Sequence, residues 1–158
     1  DTETLTTLKE RFGYVLKPLP DGSNYYYKPV LHPTVIKAGD SFKVAGVQIS
    51  VFDQDHGFSR TLGYRIGALG YSTDAVNLPD TSFEMLRGID TWIIGCFTDR
   101  EHPTHVHLEK ALKWIERVRP RQAILTHLGP DLDFDQLLNS LPVGVFVAFD
   151  GMKIEISD

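Results

Sequence analysis

Residues 91–127 read TWIIGCFTDREHPTHVHLEKALKWIERVRPRQAILTH. The segment opens on an apolar, β-prone run and closes on another, QAIL; between them apolar residues recur at helical spacing. Val106, Leu108, Leu112, Ile115 and Val118 form one stripe, with Glu109, Lys110, Lys113 and Glu116 mostly outward. The pattern predicts a strand over 90–97, a helix over 104–119 and a strand over 121–128. Three of the chain's six histidines, His102, His105 and His107, fall within six positions at the start of that helix.

The surrounding sequence continues the rhythm. Leu5, Leu8 and Phe12 predict a short helix over 4–14, ended by Pro18 and the loop-forming LPDGSN. Tyr25, Tyr26 and Tyr27 are β-prone and predict a strand with mixed faces. SFKVAGVQISVF has two β-prone runs around Gly46, and TLGYRIGALGYSTD reads as two strands joined at GALG. TSFEMLRG and DFDQLLNSL predict short helices, and VGVFVAFDGMKIEI predicts two closing strands with a turn at Asp150-Gly151. Paired strands followed by alternating strand and helix make this an α/β (α+β) layered chain, expected to be one domain over 1–158.

Composition narrows the function. Hydrophobic residues make up 42% of 158 residues, enough for a core, and no apolar run is long enough for a membrane span. A net charge of −5 argues against a broad phosphate-backbone footprint, hence against extended nucleic acid. Cys96 is the single cysteine, so an internal disulfide and a cysteine-based zinc cage are excluded. A reducing cytoplasm is the expected compartment.

Three predicted strands stop at a residue able to ligate metal: His56 after VQISVFDQD, Asp74 closing ALGYSTD, and His127 after QAILT. In open α/β sheets ligands gather beyond the carboxyl ends of strands, and two histidines with one carboxylate suit zinc, manganese or iron. Each residue alone also fits a plainer role: a loop histidine, or for Asp74 a cap or turn residue. His105 is expected on the first helical turn, where free N–H groups favour anions; a histidine there suits a general acid acting on a phosphate. His107 lies about 200° around the helix from His105, and Pro103 separates His102, so the cluster is not expected to chelate as a unit.

Four motifs in this order, QDHGFSRTLGYRIG, YSTD, HPTHVHLEKAL and ILTHL, resemble the metallo-β-lactamase superfamily, most closely its 1,2-cyclic phosphate phosphodiesterases and more distantly ribonuclease Z. The resemblance implies that His56, Asp74 and His127 are metal ligands, with Asp74 bridging two divalent ions, zinc or manganese. It implies that His105 is catalytic and that His102, Thr104 and His107 border the substrate. The family's H-x-H-x-D-H signature, which supplies further ligands, does not occur in these 158 residues. The chain is therefore expected to be the C-terminal, second half of a four-layer αβ/βα sandwich, its metal site empty or partly filled and the chain alone inactive. An uncovered apolar sheet face is then expected to drive homo-oligomerisation. The parent activity implied is hydrolysis of a small cyclic phosphate or nucleotide-like ester. The alternatives are a ribonuclease Z-like nuclease, a glyoxalase-type thioesterase, or a non-catalytic half-domain that self-associates.

Overall fold

The structure is a computed structural model and describes residues 1–23 and 27–156. It divides into two compact units, Asp1–Lys37 and Ala38–Asp158. In the first unit, helix α1 (Thr2–Phe12) starts where the Asp1 carboxylate accepts from Thr4 N–H at 2.9 Å. A 3-10 turn follows over Gly13–Leu16, and the Lys28 ammonium donates to the carbonyls of Tyr14 and Lys17 at 2.8 and 2.7 Å. The strand expected at Tyr25–Tyr27 lies largely outside the described residues; Tyr27 itself is 89% exposed and in no strand.

The second unit is built on one seven-stranded sheet whose spatial order follows the chain: β1 (Ser41–Val44), β2 (Val47–Asp55), β3 (Arg60–Ile66), β4 (Leu69–Ser72), β5 (Thr91–Gly95), β6 (Gln122–Thr126) and β7 (Val145–Val147). The first four pair antiparallel, as the short connections at 45–46, 56–59 and 67–68 require. From β4 onward pairing is parallel, and each crossover carries a helix: α2 (Asp80–Leu86), α3 (Leu108–Val118) and α4 (Phe134–Ser140).

Strand pairing sorts the side chains onto two faces, since paired residues share a face and neighbours in sequence alternate. Trp92, Ile94, Leu125 and Phe52 join Phe83 and Leu86 of α2 and Ala111 and Trp114 of α3 in the main core. Trp92 is fully buried, and its indole N–H donates to the Ser72 hydroxyl at 3.1 Å. The other face carries one continuous cross-strand row, Val51–Tyr64–Tyr71–Ile93–Ile124–Phe146. Val51 and Ile124 in that row are buried, whereas Tyr71 is 39% and Phe146 45% exposed.

Two expectations need correction. The helix predicted from residue 104 begins only at Leu108, with His107 as its N-cap in extended conformation. The reason is nonlocal: Val106 N–H donates to Ala75 O at 2.7 Å, and Val106 O accepts from Phe97 N–H at 3.1 Å. Those bonds hold the stretch as a strap between two other loops, with Val106 buried in the main core. The closing hairpin is also not formed among the described residues. The turn at Asp150–Gly151 is present, with Met152 N–H bonded to Phe149 O at 3.0 Å, but no strand follows the three-residue β7.

The entry into β5 is tied to that of β6 by a fork: Arg121 donates through Nε and Nη2 to the two Asp90 oxygens at 2.8 and 3.0 Å. This holds the Asp90 carboxyl below its ordinary value of 3.8. A depressed carboxyl stabilises the fold above its unfolded-state pKa and loses that contribution as the pH falls through its folded-state value. Asp90→Asn is therefore expected to lower the urea midpoint at neutral pH, the gap from wild type closing as the pH drops below 3.8. An equal gap at neutral and acid pH would assign the loss to packing instead.

Candidate metal and catalytic site

Strand β3 runs opposite to β2 and β4, so β2, β4, β5 and β6 all end at the same sheet edge. His56 follows β2 directly, Asp74 comes two residues after β4, and His127 follows β6. The 102–107 strap brings His105 to the same edge. All three imidazoles converge on one carboxylate oxygen. Asp74 Oδ1 lies 3.3 Å from His105 Nε2, 3.4 Å from His127 Nε2 and 3.9 Å from His56 Nε2. The Nε2 atoms of His56 and His105 are 3.4 Å apart.

The backbone is bent to achieve this. Asp74 and His127 both sit in the left-handed region, at φ 54° and 59°. A non-glycine residue there costs on the order of 1–3 kcal/mol, and such strain gathers at functional sites. Thr61 Oγ1 donates to Asp74 O at 2.7 Å, and buried Gln54 donates through Nε2 to Thr73 O at 2.9 Å, fixing the bend from below. Gly57, just after His56, has φ 76°, and a Cβ there would stand 2.5 Å from Pro103 O. Glycine at this position lets the His56 turn touch the strap. The Phe97 ring sits against His105, His102 and His127 at centroid distances of 4.8, 5.2 and 5.5 Å. It forms an apolar wall behind the imidazoles. Gly129 N–H donates to Phe97 O at 2.9 Å, and a Cβ on Gly129 would collide with that same carbonyl.

The remaining expected site residues occupy different places. Thr104 is 7% exposed and its hydroxyl lies 2.7 Å from His105 Nδ1, so the hydroxyl is engaged within the protein rather than presented to a substrate. His102 Nδ1 accepts from the backbone N–H groups of Thr104 and His105, both at 3.3 Å. His102 and His107 line an open groove with Lys110 and Lys113, while Asp74, Phe97, His105 and His127 line a tighter cleft. Burial pushes the His105 pKa below its ordinary 6.5; the Asp74 hydrogen bond opposes this, and the nearby His56 and His127 add to it.

The donor set fits a divalent cation. Tetrahedral ligands at ~2.1 Å from zinc stand about 3.4 Å from one another. That matches the 3.3 and 3.4 Å separations around Asp74 Oδ1, with His56 slightly wider at 3.9 Å. By distance alone the candidate triad is His56, Asp74 and His105, whereas His127 joins the site through Asp74 Oδ1. Phe97, Gly57 and Gly129 went unread in the sequence. The signal for the two glycines is a Gly within two residues after a strand-end histidine, in QDHG and THLG.

Comparison with known proteins bears on the family and the fold. A family model described as a beta-lactamase superfamily domain matches residues 1–128. The crystal structure of a diphosphatase from the PhnP family superposes with a TM-score of 0.86 at 28% identity, over 99% of this chain and 57% of that one. The short form of human tRNase Z superposes with a TM-score of 0.59 at 16% identity, over 74% of this chain and 46% of that one. A curated relative, the octanoyltransferase of Porphyromonas gingivalis (strain ATCC BAA-308 / W83), is 26% identical over all of this chain and 32% of its own length. The chain thus spans about a third of that relative and 57% of the diphosphatase.

Gly57→Ala tests the coupling of the His56 turn to the strap. The left-handed φ and the approach to Pro103 O predict a loss of about 1–3 kcal/mol in urea unfolding. An unchanged midpoint would show that the two segments move independently.

Proposed function

The chain belongs to the beta-lactamase superfamily, in its metallo-β-lactamase fold, and on that premise we propose that it carries part of the site of a metal-dependent hydrolase acting on small phosphate diesters, such as a cyclic phosphate or a nucleotide-like ester. The observation that carries this reading is the convergence of His56, His105 and His127 on Asp74 Oδ1 at the carboxyl ends of three strands. His56, Asp74 and His127 would hold the divalent ions, zinc or manganese. Bound there, divalent ions supply Lewis acidity toward phosphoryl oxygens and a source of nucleophile at neutral pH.

The chain's own residues do the rest. Asp74 and the two ligating histidines are held by strand ends and a bent backbone, so little reorganisation is needed when ligand arrives. Phe97 keeps water from the inner side of the imidazoles. His105 presents Nε2 toward the same point and is placed to hydrogen-bond a phosphoryl oxygen and protonate the leaving oxygen. His102 and His107, with Lys110 and Lys113, border the groove proposed for the leaving group.

Likeness to a PhnP-family diphosphatase supports phosphate chemistry, whereas a net charge of −5 opposes a grip on long RNA. Acyl transfer through a thiolate finds no support in this chain. Cys96 is fully buried and burial pushes its thiol up to about 12. Among the described residues no helix is long and apolar enough to cross a membrane, which is compatible with the proposed cytoplasmic location.

Three ligands are too few to close two metal sites of about four donors each. The purified 158-residue chain is therefore expected to bind zinc or manganese weakly and to leave bis(p-nitrophenyl) phosphate intact; metal-dependent hydrolysis by the chain alone would overturn that. In zinc titration calorimetry, His56→Ala, Asp74→Ala and His127→Ala should each weaken binding at least about 10-fold. His105→Ala should leave it near wild type. Equal losses for all four would make His105 a ligand.

The exposed members of the cross-strand row, Tyr71 and Phe146, support self-association through that sheet face, with a second copy of the chain as the partner. A specific dimer should bury more than about 1,000 Å². Light scattering is expected to give a mass above that of the monomer, reduced by Tyr71→Glu; a monodisperse monomer at high concentration would overturn the proposal.

A further inference from the structure

The distances around Asp74 leave His105 with two possible roles, since a histidine whose Nε2 carries a lone pair ligates metal and one whose Nε2 carries a proton donates a hydrogen bond. We propose that Thr104 is the positioning residue that decides between them: its hydroxyl donates to His105 Nδ1, which places the proton on Nε2 and makes His105 a hydrogen-bond donor rather than a ligand. The inference deepens the hydrolase reading, which it takes as its premise.

The hydroxyl's direction follows from hydrogen-bond accounting. Thr104 Oγ1 has two imidazole nitrogens within reach, His105 Nδ1 at 2.7 Å and His102 Nδ1 at 3.3 Å. The His102 lone pair is already served by two backbone donors, the N–H groups of Thr104 and His105. His102 is therefore an acceptor at Nδ1, with its own proton on Nε2. The single hydroxyl proton of Thr104 goes to the nearer nitrogen without a donor, His105 Nδ1. A neutral imidazole that accepts at Nδ1 must carry its proton at Nε2. That N–H points at Asp74 Oδ1, 3.3 Å away. A metal-ligating histidine shows the opposite arrangement, donating its outer N–H to a carboxylate, carbonyl or water.

Packing holds the hydroxyl in place. Thr104 is 7% exposed, and its Cγ2 lies 3.1 Å from where a Cβ on Gly57 would be, so the methyl abuts the His56 turn. The threonine is a wedge: its methyl rests on the turn that carries one site histidine, and its hydroxyl orients the ring of another. A valine keeps the shape and removes the donor; a serine keeps the donor and removes the methyl.

The test is long-range ¹H–¹⁵N correlation of imidazole-¹⁵N-labelled 158-residue chain, free of metal, at a pH above the histidine range, with His105 signals assigned through His105→Gln. Wild type and Thr104→Ser should show His105 protonated at Nε2; Thr104→Val should lose that preference. Wild-type His105 protonated at Nδ1, or a tautomer unchanged by Thr104→Val, overturns the proposal. The wild-type spectrum decides alone should the valine variant fail to fold. The measurement needs neither metal nor turnover, so failure of the hydrolase reading would not be mistaken for failure of this one. In an active enzyme, Thr104→Val is expected to lower kcat about 10-fold or more at similar KM, with Thr104→Ser restoring most of it.

Discussion

One carboxylate oxygen, Asp74 Oδ1, has three imidazole nitrogens within 3.9 Å. Most of the second unit's architecture can be understood as what that convergence demands. The four residues come from positions 56, 74, 105 and 127 and meet only if three strands end at one edge. The mixed sheet provides this: β3 reverses between β2 and β4, and the parallel run from β4 onward returns every later strand to the same edge. Had β4 and β5 paired antiparallel, β5 and Phe97 after it would have ended at the far edge.

The convergence is also costly, and the surroundings show how the cost is met. Two site residues adopt left-handed backbone without being glycine. Such conformations persist only where neighbours over-determine them. Here the neighbours are Gln54 and Thr61, bonded to the carbonyls of Thr73 and Asp74, and the Phe97 ring behind the imidazoles. Helices α2 and α3 pack on the sheet face that carries Trp92 and Ile94. The strand-end residues therefore lie where a packed layer on one side meets the apolar row on the other.

Sequence patterns reveal the parts of this that depend on local spacing. The strand ends at His56 and His127 are legible because apolar β-prone runs stop there, and Asp74 is legible as the polar close of YSTD. The start of α3 is not. The apolar stripe runs back through Val106 as smoothly as through Leu108, but Val106 buries its side chain while its backbone bonds to Ala75 and Phe97, partners about thirty and ten positions away. A helical pattern cannot register competition from hydrogen bonds that distant. The left-handed bends were hidden for a different reason: aspartate and histidine tolerate positive φ more often than most residues, but neither announces it as glycine does. The second closing strand was expected from alternation alone, and alternation without a partner makes no ladder.

The three histidines of HPTHVH show how much an extended rather than helical backbone decides. On a helix, His105 and His107 would face nearly opposite ways and His102 would stand apart. On the strap they take three separate roles. His102 turns its Nδ1 back onto the backbone N–H groups of Thr104 and His105, closing a tight loop that fixes the strap's shape. His105, held by that loop and by the Thr104 hydroxyl, projects Nε2 to Asp74. His107 ends the strap as the N-cap of α3, and its carbonyl accepts from Ala111 N–H at 2.9 Å, opening the helix. Only the middle histidine reaches the point where the strand ends meet. His102 holds it there through the Thr104 and His105 N–H groups, so a change at His102 should act on the site through the orientation of His105 rather than through any direct contact with Asp74.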